Sequence, residues 1–195
     1  MNPANEQYMI QNECHVKAQW AHGWRYPLGG AAAASATGIH AAITMTEAAQ
    51  PGIVDDITQP DFPRVLTVTG GHADCAGKVT IHGTDIDDNV ISDEITQNGV
   101  ATVTGVKAFK SVTSLDIPAR SSANTPTVTI GTAAVFGLPL VLPSVDCVET
   151  CAVDGVAEAV TSVVIDTDIA KNVAASTTAP NGTRVIVFRG YIYTA

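Results

Sequence analysis

From Gln59 onward the chain alternates. Threonine and valine trade places in Arg64-Val65-Leu66-Thr67-Val68-Thr69, and again in Lys78-Val79-Thr80-Ile81-His82-Gly83-Thr84. The same habit returns over Val90–Thr96, residues 100–104 and residues 110–117, with a further short run at 127–130. β-Branched side chains suit a pleated, half-buried surface, and a period of two turns one set inward and the other outward. Turn residues separate the runs: Gly70-Gly71, the polar corner Asp85-Ile86-Asp87-Asp88-Asn89, and Asn98-Gly99. Asn and Gly both tolerate positive φ, so Asn98-Gly99 predicts a hairpin between its flanking strands. Many short strands with turns between them predict an all-β fold, either a β-sandwich of immunoglobulin-like style or a barrel-like domain.

Charge supports that reading. Only 15% of the 195 residues are Asp, Glu, Lys or Arg, against about 25% in an average soluble domain. A long solvated helix needs charge on its outer face, so a helical bundle is excluded. Ten Lys and Arg stand against nineteen Asp and Glu, for a net charge of −9. That balance excludes a nucleic-acid partner, which needs clustered cations to displace its counterions. It equally disfavours an anionic membrane surface. Residues 1–20 lack the apolar core of a signal peptide, and residues 30–45 are too short and too weakly apolar to span a bilayer. The expectation is a protein made in the cytoplasm with free thiols.

Composition divides the chain. Residues 1–50 are irregular and hold both tryptophans, Trp20 and Trp24, together with His15, His22 and His40. They read as an extended N-terminal arm with aromatic anchors, including a small, flexible run at 29–38 and one short strand at 39–46. Residues 51–195 read as the β-rich domain, with room for two sub-units at about 59–131 and 132–195. In the second of these, residues 137–143 are apolar but bracketed by prolines, which suits an edge strand or a packed connector. Asp154-Gly155 marks another hairpin. Residues 159–166 and 184–193 read as strands. Along the last one, Val185, Val187, Arg189, Tyr191 and Tyr193 share one face, and Ile186, Phe188 and Ile192 share the other. A strand apolar on both faces is expected to be covered on both.

Reactive constellations are scarce. The sequence has no His-Glu-x-x-His zinc motif, no Gly-x-Ser-x-Gly elbow and no Walker-type loop. Cys147 and Cys151 have a spacing that could share a zinc, but no second close pair completes a site, so free cysteines are expected there and at Cys14 and Cys75. The acidic corner at 85–89 lacks the glycine and closing glutamate of a calcium loop and reads as a solvated turn. Neither a catalytic set, a metal site nor a cofactor is expected. Trp20, Trp24 and Tyr26 are the candidate contact residues. They are read as anchors into a groove or a neighbouring subunit, because their segment looks unable to bury them locally. A sugar-stacking platform is the alternative use of the same rings.

One resemblance adds to this. Gln59-Pro60-Asp61-Phe62-Pro63-Arg64-Val65-Leu66-Thr67-Val68-Thr69, then Gly77-Lys78-Val79-Thr80-Ile81-His82-Gly83-Thr84-Asp85, resemble segments of tailed-bacteriophage virion proteins. So do Asp93-Glu94-Ile95, Asn98-Gly99, the stretch 106–118, Phe136-Gly137-Leu138-Pro139, and Asn181-Gly182-Thr183-Arg184-Val185. Over about 59–193 the chain is similar to the head decoration, or cement, proteins of phage capsids. The resemblance implies a virion protein on the capsid surface, made in the host cytoplasm. It implies as partners the major capsid protein and further copies of itself, a trimer among the options, and it supplies no catalytic residues. A tail-tube or tail-associated β protein, and a carbohydrate-binding β module, stay open as alternatives.

Overall fold

The computed structural model describes residues 7–10, 19–121 and 124–194. In chain order the strands are β1 (Gln7–Ile10), β2 (Gln19–Gly29), β3 (Ser35–Thr44), β4 (Gln50–Ile53) and β5 (Arg64–Gly70). Then follow β6 (Lys78–Thr84), β7 (Val90–Thr96), β8 (Thr102–Phe109), β9 (Ser111–Ile117) and β10 (Thr127–Gly137). The last five are β11 (Thr150–Val153), β12 (Val156–Glu158), β13 (Val160–Val164), β14 (Val173–Ser176) and β15 (Val185–Thr194). Two single 3-10 turns, Val145–Cys147 and Ile169–Lys171, are the only helical pieces among the described residues. The fold is all-β, as the alternation requires.

Three antiparallel sheets hold these strands. One runs β1-β2-β15-β11-β12, one runs β4-β9-β6-β7, and the largest runs β13-β14-β10-β5-β8, with β3 also paired to β10. The period-two pattern explains their packing. In β7, Ile91, Asp93 and Ile95 are buried while Val90, Ser92, Glu94 and Thr96 are exposed. Ile91 and Ile95 join Val79 and Ile81 of β6 and Leu115 and Ile117 of β9 on one layer. Facing them are Leu66 and Val68 of β5, Val128 and Ile130 of β10, and Ile39 and Ile43 of β3. Burial of each such side chain contributes about 1.5–3 kcal/mol. A second core gathers Leu28, Phe136, Leu138, Leu142, Cys151, Ile186 and Phe188. β10 runs through both cores, giving Val128 and Ile130 to the first and Phe136 to the second.

The segment expected as an arm contributes β1, β2, β3 and the start of β4 to the sheets in its described residues, β1 pairing with β2. β2 pairs with β15 from Gly29↔Val185 to Trp20↔Thr194. β3 pairs with β10 from Thr44↔Thr127 to Ser35↔Thr132. The small-residue link between them is pinned at several points. Gly30, at φ +67, donates its N–H to the Arg184 carbonyl at 3.1 Å, and Gly182 donates to the Ala31 carbonyl at 2.7 Å. Ala32 donates to the Asp61 carboxylate, whose other oxygen takes the buried Arg64 guanidinium at 2.8 Å. Arg64 also donates to the Ala32 carbonyl at 3.0 Å and lies over the Phe136 ring. The small side chains therefore serve close chain approach.

Asn98-Gly99 turns as its residues demand, with Gly99 at φ +58 and Ala101 donating to the Asn98 carbonyl. It does not close a hairpin ladder. Only the bridge Asn98↔Ala101 forms, β7 pairs with β6, and β8 pairs with β5 in another sheet. Asp93 sits where the strands part. Its buried carboxylate accepts the Val106 and Lys107 N–H groups at 2.8 and 3.2 Å, replacing ladder bonds at an irregular point of β8. Asp154-Gly155 does form its hairpin, with both residues at positive φ between β11 and β12. Residues 138–144 form a packed connector in which Leu138 and Leu142 are buried.

Candidate functional site

The aromatic residues singled out by sequence lie on β2, and the ladder with β15 decides which way they face. Tyr26 stands opposite Phe188, Trp24 opposite Gly190, and Leu28 opposite Ile186. Phe188 and Ile186 are fully buried, so this face looks inward. Trp24 and Tyr26 are half-buried and pack against the second core. Trp24 Nε1–H donates to the Cys147 carbonyl at 3.0 Å. Burial pushes the Tyr26 phenol above its ordinary pKa. Both rings are thus held by the protein's own core. Their own segment does not cover them; residues 147 and 188, far away in sequence, supply the cover. The Trp20 side chain lies outside the described residues.

The cysteines are equally enclosed. Cys75, Cys147 and Cys151 are free and buried. Burial, with the Glu158 carboxylate nearby, pushes the Cys151 thiol up to about 11. No group of three or more His, Cys, Asp or Glu converges among the described residues. In the acidic corner, Asp85 Oδ1 accepts the Asp87 and Asn89 N–H groups, both at 2.9 Å, so this carboxylate closes its own turn. No helix of the described residues is long and apolar enough to cross a membrane.

Sequence reading missed one ionisable pair. On the outer face of the four-stranded sheet, His82 Nε2 meets Asp116 Oδ2 at 2.9 Å. The other oxygen, Oδ1, accepts the Gly52 N–H at 2.7 Å. These two hydrogen bonds, the histidine's first, hold the Asp116 carboxyl below the usual carboxylate range. The cross-strand partners of His82 are Ser92 and Ser114, but neither hydroxyl is bonded to it among the described residues. The pair fastens β4, which otherwise pairs with β9 only at Gln50↔Ile117 and Ile53↔Leu115. The signal was present in sequence only as His82 and Asp116 on strands whose pairing was unknown.

What the fold leaves outward is a set of apolar strand edges. Val90 begins β7, Val106 lies in β8, Val156 in β12 and Val164 in β13, and Val54 follows β4. Each is more than half exposed, Val90 at 88%. All five border a strand at the end of its sheet order. The largest sheet also curls on itself. Its two ends, at Thr104–Val106 and at Ser162 and Val164, line one apolar cavity of about 200 Å³ with Val65, Val135 and Val173. A shallower groove of about 760 Å³ runs between Leu142, Ile165 and Ile192. Compared with protein-family models, with curated proteins and with solved structures, the chain matches none.

Proposed function

We propose that the protein is a structural component of a tailed-phage virion, seated on the outside of the capsid lattice as a decoration protein. The observation that carries this reading is the placement of Val54, Val90, Val106, Val156 and Val164 on or beside edge strands of all three sheets. An edge strand offers unpaired N–H and C=O groups, and an exposed β-branched side chain beside them favours pairing with another chain. Several such edges on one small body suit a subunit that touches several neighbours at once. Of these strands, the segments similar to phage virion proteins take in part of β7 and part of β8. A net charge of −9 keeps decorated particles apart in suspension. The mechanism is passive: each copy bridges neighbouring shell subunits, so rupture must also break its contacts.

A glycan-stacking role is weakened, because Trp24 and Tyr26 are turned to the core. Immunogold electron microscopy of purified particles, with antibody against the recombinant protein, tests the proposal. Gold spread over the heads is the expected result. Gold confined to tails would transfer the fold to tail assembly. Unlabelled particles whose epitope is intact on a blot would sink both virion readings.

A further inference from the structure

The ladder between β2 and β15 has a second face. Its register sets Arg25 directly opposite Arg189, Gly23 opposite Tyr191, and Pro27 opposite Val187. Side chains directly opposite in an antiparallel pair have Cβ atoms about 5 Å apart, and like charges so placed repel. Both arginines are exposed. Among the other described cations, Lys78 meets Glu94, Lys107 meets Asp168, Lys110 meets Asp88 and Lys171 meets Asp166, while Arg184 donates to the Ala179 carbonyl. Arg64 and Arg120 likewise meet Asp61 and Glu47. Arg25 and Arg189 have no ion-pair partner among the described residues. Among the described residues, two arginines directly opposite on adjacent strands are thus left without a carboxylate, on a chain with nearly two acidic groups for each basic one.

The surroundings shape this pair into a binding face. The Tyr191 ring leans across the strand toward Gly23, with a ring carbon 3.5 Å from where a β-carbon would stand. Pro27 makes an exposed apolar step on the other side, with Val187 buried beside it, and Thr150 of β11 stands beside Arg189. A guanidinium is a planar fork that matches a carboxylate bidentately. A carboxylate entering between two of them gains both attractions and removes their mutual repulsion. A nucleic-acid polyphosphate needs a row of cations to displace its counterions, and this face offers one pair.

We propose that Arg25 and Arg189 form a carboxylate clamp that seats an acidic segment of a partner polypeptide on the outer face of β2 and β15. The clamp stands on these residues alone, whether or not the partner belongs to a capsid.

The test is fluorescence anisotropy with a short labelled peptide of alternating Glu and Val, at low salt. The full chain should bind it, and R25Q/R189Q should weaken binding by about tenfold or more. Each single substitution should give part of that loss. K78Q/K110Q, which removes lysines already ion-paired, should leave the affinity unchanged. The double variant should melt no lower than the parent, because it removes a repulsion. Equal binding by the parent and R25Q/R189Q, or an affinity for duplex DNA exceeding that for the peptide, would overturn the clamp. Particle labelling reads the capsid proposal separately, so either idea can fail alone.

Discussion

Trp24 and Cys147 are joined by one hydrogen bond, indole Nε1–H to backbone carbonyl, across 3.0 Å. Gly190 makes room for it. A β-carbon there would stand 1.7 Å from the Cys147 oxygen and 2.8 Å from the indole nitrogen. Gly190→Ala must therefore displace the 145–147 turn or the tryptophan. A loss of about 3 kcal/mol is expected, read from the urea midpoint. Trp24→Phe keeps much of the ring packing and forfeits the bond, and should lose about 1 kcal/mol beyond the packing change.

Arg64 and Asp61 give a second prediction. Arg64 is 1% exposed, so Asp61→Ala strands a buried cation. Breaking such a pair from one side costs about 3–5 kcal/mol, whereas an apolar replacement of the cation leaves nothing stranded. Arg64→Met added to Asp61→Ala should recover part of the loss. Equal stability of the single and double variants would show that the guanidinium finds another partner.

Alkali should find Cys151. Its thiol is raised from an ordinary 9.0 to about 11 in the fold, first by burial and then by Glu158. A raised folded value contributes stability that is whole below the unfolded value and lost as pH climbs through the folded one. The window is therefore pH 9 to 11. Between those limits Cys151→Ala should lose less stability than the parent, by on the order of 2 kcal/mol. At neutral pH, Cys75, Cys147 and Cys151 should resist a thiol reagent until the chain is unfolded.

Asp116 titrates at the other end. Its folded value is depressed, first by the His82 hydrogen bond and then by the Gly52 N–H. The stability it contributes is present above the unfolded value, about 3.9, and is lost as pH falls through the lower folded value. Asp116→Asn should flatten that part of the acid limb. The effect should be small and salt-sensitive, because His82 and Asp116 are both more than a third exposed. Hydrogen exchange should report faster opening of β4 in the variant.

Much of this was legible from single residues. The alternation placed β5, β6, β7 and β9, and it separated Val187 and Arg189 from Ile186 and Phe188 on β15. Asp154-Gly155 named its hairpin correctly because both strands it joins are neighbours. Asn98-Gly99 misled because turn chemistry governs four residues and says nothing of where β8 goes afterwards. There Asp93, a charged residue at an inward position, takes the amides a ladder would have used. β3 was shortened in the reading because Ser35, Ala36 and Gly38 have little strand preference of their own. β10 holds them in place. The cover of Trp24 was hidden for the same reason: it arrives from Cys147, and no local pattern carries that distance.

β10 also sets how the molecule can come apart. β5 lies along one side of it, and β3 and then β14 follow one another along the other. Its side chains seal one core near Val128 and the other near Phe136. Neither half can loosen without pulling on a strand whose bonds the other half needs. Heat or force applied to one end is shared with the opposite end before anything yields. The two cores are therefore expected to melt in one transition, together and not in turn.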